Sequence, residues 1–415
     1  MFTTIPLHAR LPILVLAAAA AWPAVAAETV KIGFIDVLSG PFAKSGEGSL
    51  AQLREVVLQL NASAGPKDPR FEVVPFDGKG APQESVTVLK AATDQGIRYI
   101  TQGGGSGVAF ALSEAVTKLS EREPDKATLF LNYSAMDPGL TNDRCSFWHF
   151  RFYPSSEMKI EALTTWLQKR PDVKKVYLFN QNYTHGQQVS KASRAYLERK
   201  RPDIQIVGDD FIPIASVRDF APHIAKIRAS GADTVITSNW GSDLTLMFKA
   251  AKDSGLNINF FTMNANNPGT PAQMGSWGVD KVGVLWNWGH NAPTPELEKI
   301  YVAYKQKTGE DFIFAAHWNS LHMLQAAMRK TRSTDPKAVA FALEGARYQS
   351  PQGELEMRKT DHQLQAPLFL GMWAKQGSKG VKYDAEGTGY GFRSEQVWDS
   401  YISAQPTSCQ MKRPA

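Results

Sequence analysis

The sequence predicts an α/β fold in which helices cover parallel sheets, and three observations favour this class. Short β-branched runs alternate with longer segments of helical periodicity from residue 29 onward. The chain has 415 residues, 43% hydrophobic and 21% charged, which is a globular composition. About nine strand–helix units are too many for one ordinary domain. The alternation therefore predicts parallel sheets divided between two lobes.

Residues 1–27 are predicted to form a secretory signal peptide. His8 and Arg10 precede an apolar run over residues 11–21, and Ala24-Val25-Ala26-Ala27 supplies the small residues that a signal peptidase recognises. An uncleaved membrane anchor is the alternative. However, the apolar run is too short to cross a hydrocarbon core of about 30 Å at about 1.5 Å per residue. We therefore expect an exported chain whose mature form begins at residue 28.

The elements of the predicted fold follow from this alternation, in chain order. Strands are expected over residues 30–35, 71–76, 97–102, 127–131, 175–179, 204–211, 234–238, 259–262 and 282–286. Helical patterns lie between nearly all of them, including one over 82–95 that begins with a proline. Consecutive helices over 295–307, 315–331 and 336–343 then lead to strand-like segments at 353–358 and 366–374. The glycine-rich stretch 376–391 is expected to be irregular, so the chain is predicted to end in a small β region.

The chain has only two cysteines, which excludes a disulfide scaffold and a thiolate metal cluster. In an exported protein Cys145 and Cys409 are the only possible pair, and a bridge would tie the C-terminal tail to mid-chain. The alternative is two separate thiols, one in an apolar segment and one in the tail. The sequence favours the bridge, because an exposed free thiol is a liability outside the cytoplasm.

Charge and motifs exclude several classes of function. The net charge of +6 is too dilute over this length to indicate a nucleic-acid partner. The sequence contains no G-x-S-x-G, H-E-x-x-H or Walker motif. His317 and His322 are five residues apart, so they do not share a helical face as a metal pair would. We therefore expect no metal and no cofactor.

Polar clusters follow several of the predicted strands. Gly103-Gly104-Gly105-Ser106-Gly107 lies between a strand and a helix, where backbone amides and the helix N-terminus attract an anion. A tight turn without a ligand is the alternative, and a nucleotide site is disfavoured because G-x-G-x-x-G is incomplete. Loop 132–138 follows the next strand, and its alternative is a polar turn closed by Asp137-Pro138. Further clusters at 180–186, 238–243 and 263–267 mix amides with an aromatic or thioether group, a composition typical of ligand binding.

Several motifs, in their order and spacing, carry a resemblance to a known family. They are Ile32-Gly33-Phe34, Leu38-Ser39-Gly40-Pro41-Phe42-Ala43, Leu60-Asn61-Ala62-Ser63-Ala64-Gly65, Gly105-Ser106, Pro138-Gly139-Leu140-Thr141, the run 183–186, Asp219-Phe220 and Gly231-Ala232-Asp233. With them the chain resembles the type I periplasmic solute-binding proteins of ABC importers for branched-chain amino acids. The resemblance implies two Rossmann-like lobes joined by three hinge crossovers, with the ligand enclosed when the lobes close. It places lobe 1 at 28–150 and 285–348, lobe 2 at 151–284 and 349–402, and a tail at 403–415.

The resemblance also implies a set of ligand-binding positions. They are Ser45, Gly105, Ser106, Ser134, Met136, Tyr183, His185, Trp240 and Asn264. Amino-acid binders usually have a threonine where Met136 stands, and Asn264 occupies the place of the acid that pairs with the ligand's ammonium. Enclosing an ammonium without a carboxylate is costly. We therefore expect a small carboxylate, aromatic acids included, an amide or another amino-acid-like molecule, rather than a simple α-amino acid.

The function that the resemblance implies is a non-catalytic periplasmic receptor that delivers a small molecule to a membrane permease. It would act as a monomer, without cofactor or nucleic acid. A sensor subunit that passes the ligand signal to a membrane receptor is an alternative, because it would use the same pair of lobes. A periplasmic enzyme that uses His185 or Asp243 is a further alternative, but the sequence offers it no partnered nucleophile.

Overall fold

The computed structural model describes residues 1–2, 28–289, 291, 294–401 and 404–414. The predicted signal peptide lies almost entirely outside the described residues, as do residue 402, the predicted end of lobe 2, and residue 403, the predicted start of the tail. Within the described part of the chain, none of the helices has the length and apolar character needed to span a membrane.

Fifteen strands and eleven α-helices alternate along the described chain. The strands are β1 Thr29–Asp36, β2 Arg70–Asp77, β3 Tyr99–Gln102, β4 Leu129–Asn132, β5 His149–Arg151, β6 Lys175–Gln181, β7 Gln205–Ile212, β8 Thr234–Thr237, β9 Asn259–Thr262, β10 Val282–Trp286, β11 Arg347–Ser350, β12 Gly353–Met357, β13 Leu364–Gln365, β14 Leu368–Lys375 and β15 Tyr390–Trp398. The helices are α1 Ala43–Ser63, α2 Pro82–Asp94, α3 Ser106–Arg122, α4 Ser156–Leu167, α5 Thr184–Lys200, α6 Ala221–Ala229, α7 Gly241–Asp253, α8 Pro271–Met274, α9 Pro295–Thr308, α10 Ala315–Thr331 and α11 Pro336–Leu343.

The strands form two main sheets, one in each lobe. The first lobe contains a five-stranded parallel sheet in the order β2-β1-β3-β4-β5. The second contains a seven-stranded sheet in the order β15-β14-β10-β9-β8-β6-β7, parallel from β10 to β7. The predicted α/β class with parallel sheets in two lobes is therefore confirmed.

The chain passes between the two sheets three times. It leaves the first sheet after β5, leaves the second after β10, and enters the second again at β14. Between the last two passages, α10 packs on α1 of the first lobe and α11 packs on α10. The fold thus contains three connections between lobes, while the exact residue boundaries of the lobes stay a prediction.

The end of the chain differs from the prediction. The predicted segment 366–374 belongs to β14, which pairs antiparallel with β10 in the seven-stranded sheet and not in a separate β region. Strand β15, whose first residues fall in the stretch expected to be irregular, pairs antiparallel with β14. The run Leu368–Lys375 is buried except at its last residue, a pattern typical of a strand covered on both faces. Only β12, with β11 and β13, forms a small antiparallel sheet of its own.

The predicted disulfide is present, so the alternative of two separate thiols is wrong. Cys145 and Cys409 are bonded, with their Cα atoms 5.7 Å apart. Beside the bridge, the Thr407 hydroxyl donates to the carbonyl oxygen of Thr141 at 2.8 Å. Arg413 forms an ion pair with Glu344 at 2.9 Å. The tail is therefore attached to the first lobe at several points.

Candidate functional site

A cleft with about 430 Å³ of space, part of it open to solvent, lies where the carboxyl ends of the strands in the two lobes face each other. The first lobe contributes Ser45, Gly103, Gly104, Gly105, Ser106, Tyr133, Ser134, Ala135, Met136 and Phe314, and the second contributes Tyr183, His185, Trp240, Asn264 and Asn267. All nine residues assigned to the site from the sequence are in this lining. The structure brings them together around one cavity, and their role in binding stays a prediction.

The glycine turn after β3 is held by a buried carboxylate. Asp36 Oδ2 accepts the backbone N–H groups of Gly103 and Gly104, each at 3.0 Å, and the hydroxyl of Tyr133 at 2.7 Å. Gly105 then turns the chain with a φ of +99°, a conformation that favours glycine. The protein itself therefore uses the first amides of the turn, and Asp36 fixes the start of α3.

The N-terminus of α3 is the part of the wall suited to an anion. The first amides of an α-helix have no partner within the helix, and they carry the positive end of its dipole. The Ser106 hydroxyl oxygen accepts the backbone N–H of Asp137 at 3.2 Å, which leaves the hydroxyl proton for an acceptor in the cavity. Amides and hydroxyl together favour a carboxylate at this end of the cleft.

Aromatic rings form the wall behind the glycine turn. The ring of Tyr133 lies 4.4 Å from that of His317 and 5.8 Å from that of Phe314, measured between centroids. Phe314, just before α10, is positioned by Gln52, whose Oε1 accepts the backbone N–H groups of Ile313 and Phe314 at 2.8 and 2.9 Å. This side of the cavity therefore offers apolar faces to a ligand.

Two aromatic residues and a histidine form the second lobe's wall. The indole N–H of Trp240 donates to the hydroxyl of Tyr183 at 3.0 Å, which fixes both rings. His185, in the first turn of α5, is buried, and its two ring nitrogens have no hydrogen-bond partner among the described residues. Burial and then the nearby charge of Lys159 lower the pKa of His185 to about 3. Its imidazole is therefore neutral at ordinary pH, with one donor and one acceptor nitrogen for a ligand.

Asn264 contributes a neutral oxygen from the loop after β9. Its Nδ2 group donates to the carbonyl oxygens of Ser238 and Asn239 at 3.0 and 3.3 Å. The amide orientation is thus set by the backbone, and the side-chain oxygen is the atom left to accept from a ligand. A neutral oxygen at this place is weaker than a carboxylate as the partner of an ammonium group.

The two lobes are in direct contact beside the cavity through Phe42 and Trp240. Their rings stack with centroids 4.2 Å apart and an angle of 24° between planes. Gly241 allows this approach, because a Cβ atom there would lie 2.1 Å from the Phe42 ring. We call Phe42, Trp240 and Gly241 the interlobe contact.

The described part of the cavity wall is neutral. None of the described lining residues is Asp, Glu, Lys or Arg. Asp243, considered for an enzyme, is not in the lining; its carboxylate accepts from Gln181 and from the backbone of Ala215. Within the described part of the chain, no group of three or more His, Cys, Asp or Glu could hold a metal ion. The arrangement is suited to enclosing a molecule.

Several lining residues were not selected from the sequence. Gly103, Gly104, Tyr133, Ala135 and Asn267 lie inside the predicted polar clusters, so their neighbours were the signal that could have identified them. Phe314 follows no strand and belongs to no polar cluster. The position of Phe314 in the cavity wall is visible only in the folded structure, because the chain returns to the first lobe with α10.

Comparison with known proteins gives a consistent picture over nearly the whole chain. The family model of periplasmic binding proteins matches residues 29–379. The Leu/Ile/Val-binding protein homolog 4 of Brucella abortus (strain 2308) is 30% identical over 405 residues, 94% of either chain. The closed leucine-, isoleucine-, valine-, threonine- and alanine-binding protein from Brucella ovis matches with a TM-score of 0.83 at 29% identity, over 94% of this chain and 100% of that one. A solute-binding protein of an ABC transporter from Rhodopseudomonas palustris BisB5, in complex with 3,4-dihydroxybenzoic acid, has the same fold, with a TM-score of 0.76 at 17% identity over 90% of this chain and 98% of that one.

Proposed function

The chain belongs to the periplasmic binding protein family, in the branch of the branched-chain amino acid binding proteins, and from this premise we propose that it captures an aromatic carboxylate without an amino group. Its function is that of the family, the binding of a small solute for an ABC transporter. The proposal concerns the identity of that solute.

The observation that carries the proposal is the neutral lining of the cavity. An α-amino acid brings an ammonium group into the closed cleft, and none of the described lining residues is an Asp or Glu that could pair with it. Burying an unpaired charge costs several kcal/mol in real proteins, roughly enough to abolish binding at moderate ligand concentration. A ligand without an ammonium avoids this cost.

The remaining surfaces fit the two parts of an aromatic acid. The amides at the start of α3 and the Ser106 proton suit a carboxylate. The rings of Tyr183, Trp240 and Phe314 in the lining suit an aromatic body, which gains from stacked or edge contacts. The unpartnered nitrogens of His185 suit a polar substituent on that ring.

A branched-chain amino acid is the second candidate. It is favoured by the names of the Brucella relatives, which describe Leu/Ile/Val binding at 29–30% identity. In this chain its ammonium would rely on neutral oxygens such as that of Asn264. This candidate therefore predicts weak binding.

The finer parts of the role follow from the same premise. The chain would be exported by residues 1–27, act in the periplasm as a monomer, and deliver its ligand to a membrane permease. A sensor role would use the same cavity, and it differs in the partner that recognises the closed lobes. An enzymatic role has less support, because among the described residues no acid or nucleophile is hydrogen-bonded to either ring nitrogen of His185.

A thermal-shift panel tests the proposed ligand class. It contains benzoate, hydroxybenzoates, benzamide, leucine and valine. A ligand at 100 times its dissociation constant adds about 2.7 kcal/mol to the free energy of unfolding. We expect an aromatic acid to raise the melting temperature and leucine to leave it unchanged. Stabilisation by leucine or valine alone would favour the second candidate.

A further inference from the structure

Lys159, in α4 of the second lobe, has a fully buried amino group that contacts no acidic side chain among the described residues. Its side chain is 0% exposed. Its Nζ donates to the hydroxyl of Tyr153 and to the carbonyl oxygen of Met263, both at 3.1 Å, and lies 4.5 Å from the centre of the Tyr153 ring. Among the described residues these acceptors are neutral, and the only influence on its pKa is burial, which lowers it well below the usual value. The group therefore lies in a medium that disfavours its charge.

A buried lysine without an acidic partner lowers the stability of the folded chain. Buried charges are almost always paired, and even a buried ion pair can often be replaced by apolar side chains of similar volume without loss of stability. A methionine at position 159 would fill the same space in the core as well as a lysine does. The amine at this place is therefore better explained by a role beyond its two hydrogen bonds to Tyr153 and Met263.

The position of Lys159 indicates where that interaction lies. Met263, which accepts its hydrogen bond, directly precedes Asn264 of the cavity wall. His185, in the same wall, is close enough for the charge of Lys159 to lower its pKa. The amine thus lies against the loop of Met263 and Asn264, which forms part of the second lobe's side of the cavity. In a dry, weakly polarisable interior, a charge acts over several ångströms with little screening.

We propose that Lys159 is the specificity-determining counter-charge of the cavity, which favours an anionic ligand over a neutral one of the same shape without touching it. The inference rests on the proposed function, in which the ligand is a carboxylate. The described lining holds no charged side chain of its own. Behind it, the Asp36 carboxylate holds the glycine turn in the first lobe, and Lys159 is the cation on the side of the second lobe. An anion that enters the cavity favours the protonated form of this buried amine, which takes up its proton from solvent.

The test compares an acid with its amide on matched variants. Benzoate and benzamide have nearly the same shape and differ in charge. Lys159→Met keeps the side-chain length and removes the charge, and Lys159→Gln keeps a donor without the charge. Lys200→Met is the control, because Lys200 pairs with Glu161 at 2.7 Å and lies outside the cavity wall. Isothermal titration calorimetry gives the dissociation constants, and urea unfolding confirms that each variant is folded.

We expect both Lys159 variants to lose about tenfold or more in affinity for benzoate, as the loss of a charge pair in a protein interior predicts. Their affinity for benzamide should change less than about twofold, and Lys200→Met should resemble the wild type. Equal losses for acid and amide, or no loss for benzoate, would overturn the role of Lys159 and leave the proposed ligand intact. A wild-type chain that binds leucine and not benzoate would overturn both, because a zwitterion requires no net counter-charge.

Discussion

At the scale of single residues, one buried carboxylate organises the anion-binding side of the cleft. Asp36 is 2% exposed and holds two glycine amides, the Tyr133 hydroxyl and, through Oδ1, the backbone N–H of Val37 at 2.7 Å. Hydrogen bonds to a charged group are stronger than neutral ones, and their loss inside a protein is costly. The geometry of the glycine turn therefore depends on residues that do not themselves bind an anion.

Tyr133→Phe tests this dependence. The variant removes one donor from the buried Asp36 carboxylate, so we expect the free energy of unfolding to fall by about 1–3 kcal/mol and the affinity for benzoate to weaken. Tyr99→Phe is the matched control, because the Tyr99 hydroxyl donates to the carbonyl oxygen of Thr334 at 2.7 Å, outside the cavity wall. Urea unfolding and calorimetry measure the two effects. Equal losses of affinity in both variants would contradict a specific role for Tyr133.

His185 predicts how stability depends on pH. Burial lowers its pKa to about 3, whereas an unfolded histidine titrates near about 6.5. The unfolded chain thus binds this proton first, and the stabilising contribution is present above pH about 6.5 and lost as the pH falls towards 3. At pH 5 the loss amounts to about 2 kcal/mol. We expect a shallower decline for His185→Gln between pH 6.5 and 5, measured by urea unfolding. Parallel pH profiles would mean that His185 protonates freely in the folded chain.

At the scale of elements, the amino-terminal half of the fold follows closely from local pattern, and the end of the chain does not. Strands such as β1, β6 and β8 are short, largely buried runs followed by helical periodicity, which is the pattern of a parallel sheet. From its sequence, β14 could belong to a hairpin at the end of the chain or to the large sheet. Its actual partner, β10, lies more than 80 residues earlier in the chain. Local pattern carries no information about such a distant antiparallel pairing.

The C-terminal tail is an element of its own, attached by the disulfide. The two cysteines are separated by 264 positions, so the bridge removes many conformations from the unfolded chain. We expect Cys145→Ser with Cys409→Ser to lower the free energy of unfolding by about 2–5 kcal/mol in urea. A reducing agent should bring the wild type to the same midpoint. An unchanged midpoint would show that the other tail contacts suffice.

At the scale of the whole molecule, the two lobes meet through the interlobe contact of Phe42, Trp240 and Gly241. Trp240 also lines the cavity and bonds to Tyr183, so the contact connects the position of the lobes with the shape of the site. Ligand retention should therefore depend on a residue, Phe42, that is not in the cavity wall. This connection is a property of the closed pair of lobes and of neither lobe alone.

Phe42→Ala tests the connection. Loss of a stacked aromatic pair, worth about 0.5–1.5 kcal/mol beyond its buried area, should raise the dissociation rate of benzoate about threefold to tenfold. Phe211→Ala is the control, because Phe211 is 38% exposed on β7 and lies outside the site. Stopped-flow tryptophan fluorescence measures the rates. Identical dissociation rates in the wild type and Phe42→Ala would show that the interlobe contact does not control how long the ligand stays bound.

The candidate site could be predicted further than local pattern alone allows. Strand-end clusters indicated the glycine turn and the loops of Ser134 and Asn264, because the carboxyl ends of parallel strands share one edge of a sheet. The resemblance to a family added Ser45 and the assignment of His185. Neither source indicated Phe314 or Lys159, since their place beside the cavity arises from the crossings between lobes. From the sequence, Asn264 alone indicated that the cavity wall is neutral. The other lining residues, which complete this observation, are known only from the structure.

The central claim is that the neutral cavity accepts an aromatic carboxylate and disfavours an α-amino acid. Calorimetric titration of the ligand-free chain with benzoate and with leucine, under one set of conditions, tests it most directly. The account predicts saturable binding of benzoate and at least about a hundredfold weaker binding of leucine, the discrimination expected when a buried ammonium lacks a partner. Tight binding of leucine, with benzoate inert, would contradict it.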